Sequence, residues 1–196
     1  MCDSRQAVNR RFENGEPHHL KPGKVRISVP ENDSNCAKRI TIRAATMADC
    51  EPVAALDALN TGLRKDEFWQ STLERFVGRD GRHVLIAESL AENGGGGESG
   101  FAGFIIGEVR AWEFGSDPCG WIVAIGVVPE QRVHRIGERL FNAMCEKLEA
   151  DGIETVRTMI ACADHLNMSF FRAQGMMAGP FIELEKPVAW KFEHED

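Results

Sequence analysis

A chain of 196 residues has room for one sizeable domain and is too short for two ordinary ones. Its 43% hydrophobic and 27% charged content is that of a globular protein, and no apolar run approaches the roughly 20 residues that a membrane helix needs, so no membrane partner is expected. The formal net charge of -7 argues against a general nucleic-acid binder and suits a cationic partner such as an amine or a lysine-bearing peptide.

Residues 1–38 carry little periodicity, many turn formers and a basic excess that includes Arg5, Arg10, Arg11 and Lys21, and they read as an N-terminal extension, solvated or docked on a partner. The first twenty residues have no hydrophobic core of the secretory kind, which predicts a cytoplasmic location. Ile40 to Arg43 alternates as a first strand. Thr46 and Asp49 form a capping-box-like start for a helix that buries Val53, Leu56 and Leu59 and ends at Asn60-Thr61-Gly62. Asp66 to Val77 follows as a second helix, with Phe68 or Trp69, Leu73 and Phe76 on one side. His83 to Leu90 and Phe101 to Arg110 read as strands. The glycine-rich connection between them, residues 92–100, crosses no helix and resembles a phosphate loop only superficially, so the two strands should pair antiparallel.

Trp112 to Pro118 is a loop carrying aromatics, carboxylates and a turn, and it leads into an apolar strand from Trp121 to Val128, bounded by Gly120 and Pro129. The period then changes. Ile136, Leu140, Met144 and Leu148 recur every four residues and place one apolar stripe on a helix. Thr155 to Ala161 predicts a fifth strand, Asp164 caps a short helix from His165 to Gln174, Gly175 stops it, and Met176 to Glu185 predicts a last strand interrupted at Gly179-Pro180. The order β-α-α-β-β-β-α-β-α-β is that of an α/β protein with a mixed sheet and helices on both faces. Six cysteines (Cys2, Cys36, Cys50, Cys119, Cys145, Cys162) form no Cys-x-x-Cys pair and no cluster with zinc-ligand spacing, so no metal is expected. Cys119 is the one conceivable catalytic thiol, and no base is assigned to it.

Between the apolar strand and the long helix lies a basic turn, Glu130-Gln131-Arg132-Val133-His134-Arg135. A chain entering a helix leaves amide N–H groups without intrahelical partners at the positive end of the macrodipole, and with Arg132, Arg135 and His134 beside them a phosphate or pyrophosphate is the economical ligand. An ordinary turn with solvated arginines is the alternative. The segment from Val127 to Leu140, with Arg132-x-x-Arg135-x-Gly137, resembles the acetyl-CoA motif of the GNAT N-acetyltransferase superfamily, in which Arg/Gln-x-x-Gly-x-Gly/Ala opens a helix. Arginine stands at position 135 where the family has its first glycine. Asn167-Met-Ser-Phe-Phe-Arg-Ala-Gln-Gly175-Met176 is similar to the family's Asn-x-x-x-Phe-Tyr-x-x-x-Gly-Phe segment. The resemblance spans about Arg39 to Lys191, implying one acetyltransferase domain over 39–191 and a short tail over 192–196.

The resemblance implies a sheet whose two parallel strands splay beside the central strand and receive the pantetheine arm of coenzyme A like an added strand. Ile125, Gly126 and Val127 would supply the backbone contacts, Val133, Ile136 and Glu138 together with Arg132, His134, Arg135 and Gly137 would cradle the pyrophosphate, and Asn167 and Phe171 would lie near the pantetheine or the departing thiol. It further implies that the first two helices wall the acceptor pocket, making Leu63, Phe68 and Trp69 candidates to touch substrate, with core packing as the alternative for the aromatics; Trp112 is a further candidate. Acetyl-CoA would be the cosubstrate. The acceptor would be a primary amine, on a protein lysine or N-terminus or on a small molecule, and a homodimer is left open. Two customary groups are missing: the chain contains no tyrosine to act as acid, Phe171 standing at the matching place, and Gly120 to Val128 contains no acid to act as base. Glu108, Glu113, Asp117 and His83 are the remaining candidate bases, and a coenzyme-A-binding sensor or interaction module with weak or no catalysis is the alternative function.

Overall fold

The computed structural model describes residues 39–90, 100–112 and 115–188. The N-terminal extension, most of the glycine-rich connection, Glu113 and the tail lie outside the described residues. In chain order the elements are β1 (Arg39–Ala44), α1 (Cys50–Thr61), α2 (Asp66–Phe76), β2 (Arg82–Leu90), β3 (Gly100–Arg110), β4 (Cys119–Val127), α3 (Ile136–Ala150), β5 (Val156–Arg157) and α4 (His165–Ala173). Short 3-10 turns at Met47–Asp49 and Pro129–His134 precede α1 and α3. The five strands lie side by side in sequence order, antiparallel from β1 to β4 and parallel between β4 and β5.

Both faces of the sheet are covered, which is why β2 and β3 read as nearly continuous apolar runs. Leu85, Ala87, Ile105 and Ile122 face α3 and α4, where Ile136, Leu140, Met144, Leu148 and Phe171 meet them. Val84, Ile86, Phe104 and Ile106 face the other way, against Val53 and Leu56 of α1 and Trp69, Leu73 and Phe76 of α2. The four-residue stripe predicted for α3 is therefore wholly buried, each large aliphatic side chain contributing about 2 kcal/mol of transfer free energy. Close approach of α3 depends on two strand glycines. A Cβ at Gly120 would stand 2.5 Å from Leu148 Cδ1, and one at Gly107 would stand 2.7 Å from Met144 Sδ.

Polar bonds fix the start and stop of α1. Asp49 accepts from the Thr46 amide at 2.7 Å and from both terminal nitrogens of Arg43 at 2.7 and 2.8 Å, while Arg43 Nε donates to Glu88 at 2.7 Å. Gly62 closes the helix at φ 73°, its amide donating to the Ala58 carbonyl at 2.8 Å. Opposite Ile106 and Gly107 of β3, β4 carries an extra residue, Val123, a bulge that bends the strand.

Two predicted strands differ from the structure. The fifth strand reduces to Val156 and Arg157, paired with Gly120 and Trp121. Beyond that pair the Thr158 hydroxyl, not a backbone amide, donates to the Ile122 carbonyl at 3.0 Å, so the ladder ends in a side-chain bond. The last strand, Met176 to Glu185, does not form: the segment pairs with no strand, and Met177, Ile182 and Leu184 are exposed. An alternating apolar pattern makes a strand only where a neighbouring edge offers hydrogen bonds, and the two-residue β5 offers almost none.

Candidate functional site

Because β5 leaves β4 after two residue pairs, the stretch of β4 from Ala124 to Val127 is paired only with β3 on one side. A cavity of about 680 Å³ opens beside it, lined by Ala124 to Val127, by the basic turn and first turn of α3 (Arg132, Arg135, Gly137, Glu138), by α1 (Asp57, Asn60, Thr61), by Trp69 and Phe104, and by Asp164, Leu166, Asn167, Phe170 and Gln174 at α4. A second recess of about 210 Å³ fills the gap where the parallel strands part, between Ile122–Ile125 and Thr158–Ala161, with Phe171 at its base. Ala124, Ile125, Asp164 and Asn167 line both, so the two adjoin along the unpaired edge of β4.

At one end of the groove Val128 and Pro129 break the strand, the 3-10 turn carries Arg132, and Arg135 enters α3 in the left-handed region at φ 54°. A side chain strains that conformation, which explains why glycine is favoured there. Arg135 folds back on its own helix: Nε and Nη2 donate to Glu138 Oε2 and Oε1 at 2.6 and 2.8 Å. Arg132 Nη2 donates to Asn60 Oδ1 at 2.9 Å, joining the basic turn to α1. The first amides of α3 have no carbonyl one turn earlier in the helix. Gly137 keeps this corner open, since a Cβ there would stand 3.0 Å from Phe170 Cε2. Two guanidinium groups, the amides of a helix start and a bare Cα suit a pyrophosphate, and a strand edge with one side unpaired suits an amide-bearing arm.

At α4 the capping prediction holds. Asp164 accepts the Asn167 amide on Oδ1 at 3.0 Å and the Asn167 side-chain amide on Oδ2 at 2.7 Å. The backbone bond first, and the side-chain bond second, hold the Asp164 carboxyl below the ordinary carboxylate range. Asn167 is thereby fixed at the junction of the two recesses.

Ile125, Gly126, Val127, Arg132, Arg135, Gly137, Glu138, Asn167 and Trp69 are thus brought together on the main cavity, and Phe171 lies on the adjoining recess. Ile136 is fully buried in the core, so only its backbone can serve the groove, and His134 is exposed away from it. The side chain of Val133 lies outside the described residues. Phe68 does not line the cavity but packs edge-on against Trp69, ring centroids 5.0 Å apart. Trp112 (φ 64°) and Leu63 are exposed elsewhere. Among the candidate bases, Glu108 is held by Arg110 Nε at 2.8 Å and lines a separate polar cleft with Asp80 and Arg82; His83 Nε2 is bonded to Asp151 Oδ2 at 2.6 Å; Asp117 is exposed. Glu113 lies outside the described residues. Cys119 is buried, its sulfur 3.6 Å from Arg157 Nη1.

The sequence reading missed Asp57, Asn60 and Thr61. They recur at i, i+3 and i+4 on one side of α1, with Asp57 half-buried and Asn60 and Thr61 exposed at the cavity rim, a spacing that by itself reads as a solvated polar stripe. Among the described residues no helix is long and apolar enough to cross a membrane.

No curated protein matches the sequence closely enough to count as a relative. Among solved structures, the fold is similar to the aminoglycoside N-acetyltransferase AAC(6')-Iy in complex with CoA, at 16% identity and a TM-score of 0.64, covering 82% of this chain and 99% of that one. It is similar also to the aminoglycoside 6'-N-acetyltransferase AAC(6')-Ih from Acinetobacter baumannii (14% identity, TM-score 0.61, 76% and 99% covered). A ribosomal-protein-alanine N-acetyltransferase from Brucella melitensis biovar Abortus 2308 follows at 16% identity and a TM-score of 0.56, with 76% and 99% covered. At such identities these likenesses establish the fold. The acetyltransferase (GNAT) family pattern matches residues 51–176, from α1 through α4, and on that match the chain belongs to the GNAT acetyltransferase family.

Proposed function

We propose that this protein transfers an acetyl group from acetyl-CoA to a primary amine, by direct attack while both substrates are bound. The observation that carries the reading is the single groove that joins the unpaired edge of β4 to the arginine-bearing start of α3. Acetyl-CoA supplies the thioester. Arg132, Arg135, Gly137 and the first amides of α3 hold its pyrophosphate, and Ile125 to Val127 bond its pantetheine amides. The amine nitrogen attacks the thioester carbonyl, the C–N bond forms, the C–S bond breaks, and the amine proton is lost to water or a nearby base. A thiolate, with a pKa near 8.5, leaves tolerably without an acid, so orientation along the groove accounts for turnover in a chain that contains no tyrosine.

The acceptor is a small-molecule amine or a protein amine. The similar structures include enzymes named for aminoglycosides and one named for a ribosomal-protein alanine. A homodimer is part of the same reading, supported by the exposed apolar side chains Met177, Ile182 and Leu184 of the segment after α4. The competing reading, a coenzyme-A-binding sensor, is favoured by one observation: Glu108, the candidate base on β3, is bound to Arg110 on another cleft and does not line the groove.

Calorimetric titration with acetyl-CoA, followed by a thiol-release assay against a panel of amines, tests both. Binding with turnover supports the acetyltransferase, binding without turnover on any amine supports the sensor, and absence of binding overturns both.

A further inference from the structure

One carboxylate on the cavity wall is bonded by neither arginine of the basic turn. Asp57 lines the cavity from α1, its side chain only 13% exposed. Trp69 Nε1 donates to its Oδ2 at 2.8 Å, which fixes the rotamer, and Trp69 is itself held edge-on between Phe68 and Phe104. The same Oδ2 carries the ammonium of Lys65 at 2.8 Å, and that ammonium lies 5.8 Å from the Phe68 ring centroid. Oδ1 has no partner among the described residues. A carboxylate locked by an indole, beside aromatic rings and already carrying a primary ammonium, is chemically a seat for an alkylammonium ion.

We propose that Asp57 binds a second, non-reacting ammonium group of the acceptor, so that the preferred substrate is a diamine or polyamine, with Lys65 acting as the chain's own competitor for that seat. This deepens the acetyltransferase reading and rests on it. The amine that attacks the thioester must be neutral, whereas a carboxylate favours the charged form of any amine bound to it. Asp57 therefore suits the amine that does not react. Lys65 is one-third exposed on a flexible stem and can swing aside, which a main-chain group could not do.

The test uses the full chain, with cadaverine and, as a probe of the same chain length that carries no ammonium group, n-pentanol. Calorimetric titration of the acetyl-CoA-free protein reads the seat without turnover. Cadaverine is expected to bind wild type more tightly than n-pentanol, by about tenfold. Asp57→Asn removes that difference, and Lys65→Met increases it. In steady-state assays Asp57→Asn raises KM for cadaverine by about tenfold with little change in kcat, bringing it to that of n-pentylamine, whose single nitrogen cannot fill the seat and attack the thioester at once. Equal affinity of wild type for cadaverine and n-pentanol, or a cadaverine affinity unchanged by Asp57→Asn, overturns the proposal. So does a fall in kcat for both amines together, which would make Asp57 the base. Lys65→Met lies on a side chain that is one-third exposed and keeps the test open if Asp57→Asn fails to fold: weaker cadaverine binding in that variant also overturns it. Acetyl-CoA titration of the same samples separates the two readings, since loss of acetyl-CoA binding strikes the acetyltransferase assignment while the diamine titration still judges the seat.

Discussion

Arg135 and Glu138 grip each other across the first turn of α3, the guanidinium forked onto both carboxylate oxygens at 2.6 and 2.8 Å. A pyrophosphate arriving at this corner must draw Arg135 away from Glu138 and also meets the carboxylate's own charge. The pair is largely exposed on the arginine side, so it is worth at most about 1 kcal/mol. Glu138→Gln should accordingly tighten acetyl-CoA binding by a few-fold and no more, measured by calorimetry at low salt.

Arg135→Gly separates the cost of the backbone from the value of the charge. Relief of the left-handed conformation at φ 54° should stabilise the fold by about 1 kcal/mol, or about 3 °C in Tm, read by thermal denaturation. In the same variant acetyl-CoA affinity should become less sensitive to salt, because one phosphate-facing cation is gone.

Gly137→Glu places a carboxylate and a side chain where the pyrophosphate is proposed to lie and where Phe170 leaves only 3.0 Å for a Cβ. Acetyl-CoA binding should be lost. Thermal denaturation of the same variant separates loss of the site from loss of the fold, since a Cβ here also presses on Phe170 and lies 3.7 Å from Val127 Cγ2, both packed against the core.

Asp49→Asn removes the charged partner of Arg43 beneath the first turn of α1 and should cost about 2 kcal/mol in urea denaturation at neutral pH. The side-chain bonds from Arg43, and then the Thr46 amide, hold the Asp49 carboxyl below its ordinary value of 3.8. A depressed folded-state pKa gives stability that is complete above the unfolded value and is lost as pH falls through the folded one. Wild type should therefore lose its advantage over Asp49→Asn below about pH 4, and a gap that persists into strong acid would contradict the assignment.

The long helix α3 and the inner strands were legible because their apolar periods are unbroken, whereas in α1 the period misleads: Leu59, expected on the buried face, is 63% exposed and Ala54 is buried. Ile136, Leu140, Met144 and Leu148 announce a buried helix face, and the spacing of Arg132, Arg135 and Gly137 marks a candidate anion site, with an ordinary turn as the alternative. Failures arose where structure depends on a distant partner. Thr155–Ala161 and Met176–Glu185 have strand-like composition, yet only Val156 and Arg157 find a neighbouring edge. Asp57 was passed over because one acidic residue in an amphipathic helix looks solvated until Trp69 and Lys65, brought in from α2 and the loop before it, are seen to bind it. Glu108 looked available as a base because its engagement with Arg110, two residues along the same strand face, carries no periodic signal.

The extra residue in β4 makes the two walls of the groove unequal in their tolerance of change in chain length. Upstream of Val123, Ile122 points toward α3; downstream, Ile125 points the same way although it lies an odd three positions on, and Ala124 packs toward α1 and α2. Losing or gaining one codon between Trp121 and Gly126 would reverse which side chains enter each core and carry the arginine-bearing turn out of register with α1. A length change of one between Met159 and Cys162 would fall on backbone that pairs with no strand. Variants of this protein that differ in length should concentrate on the second wall and spare the first.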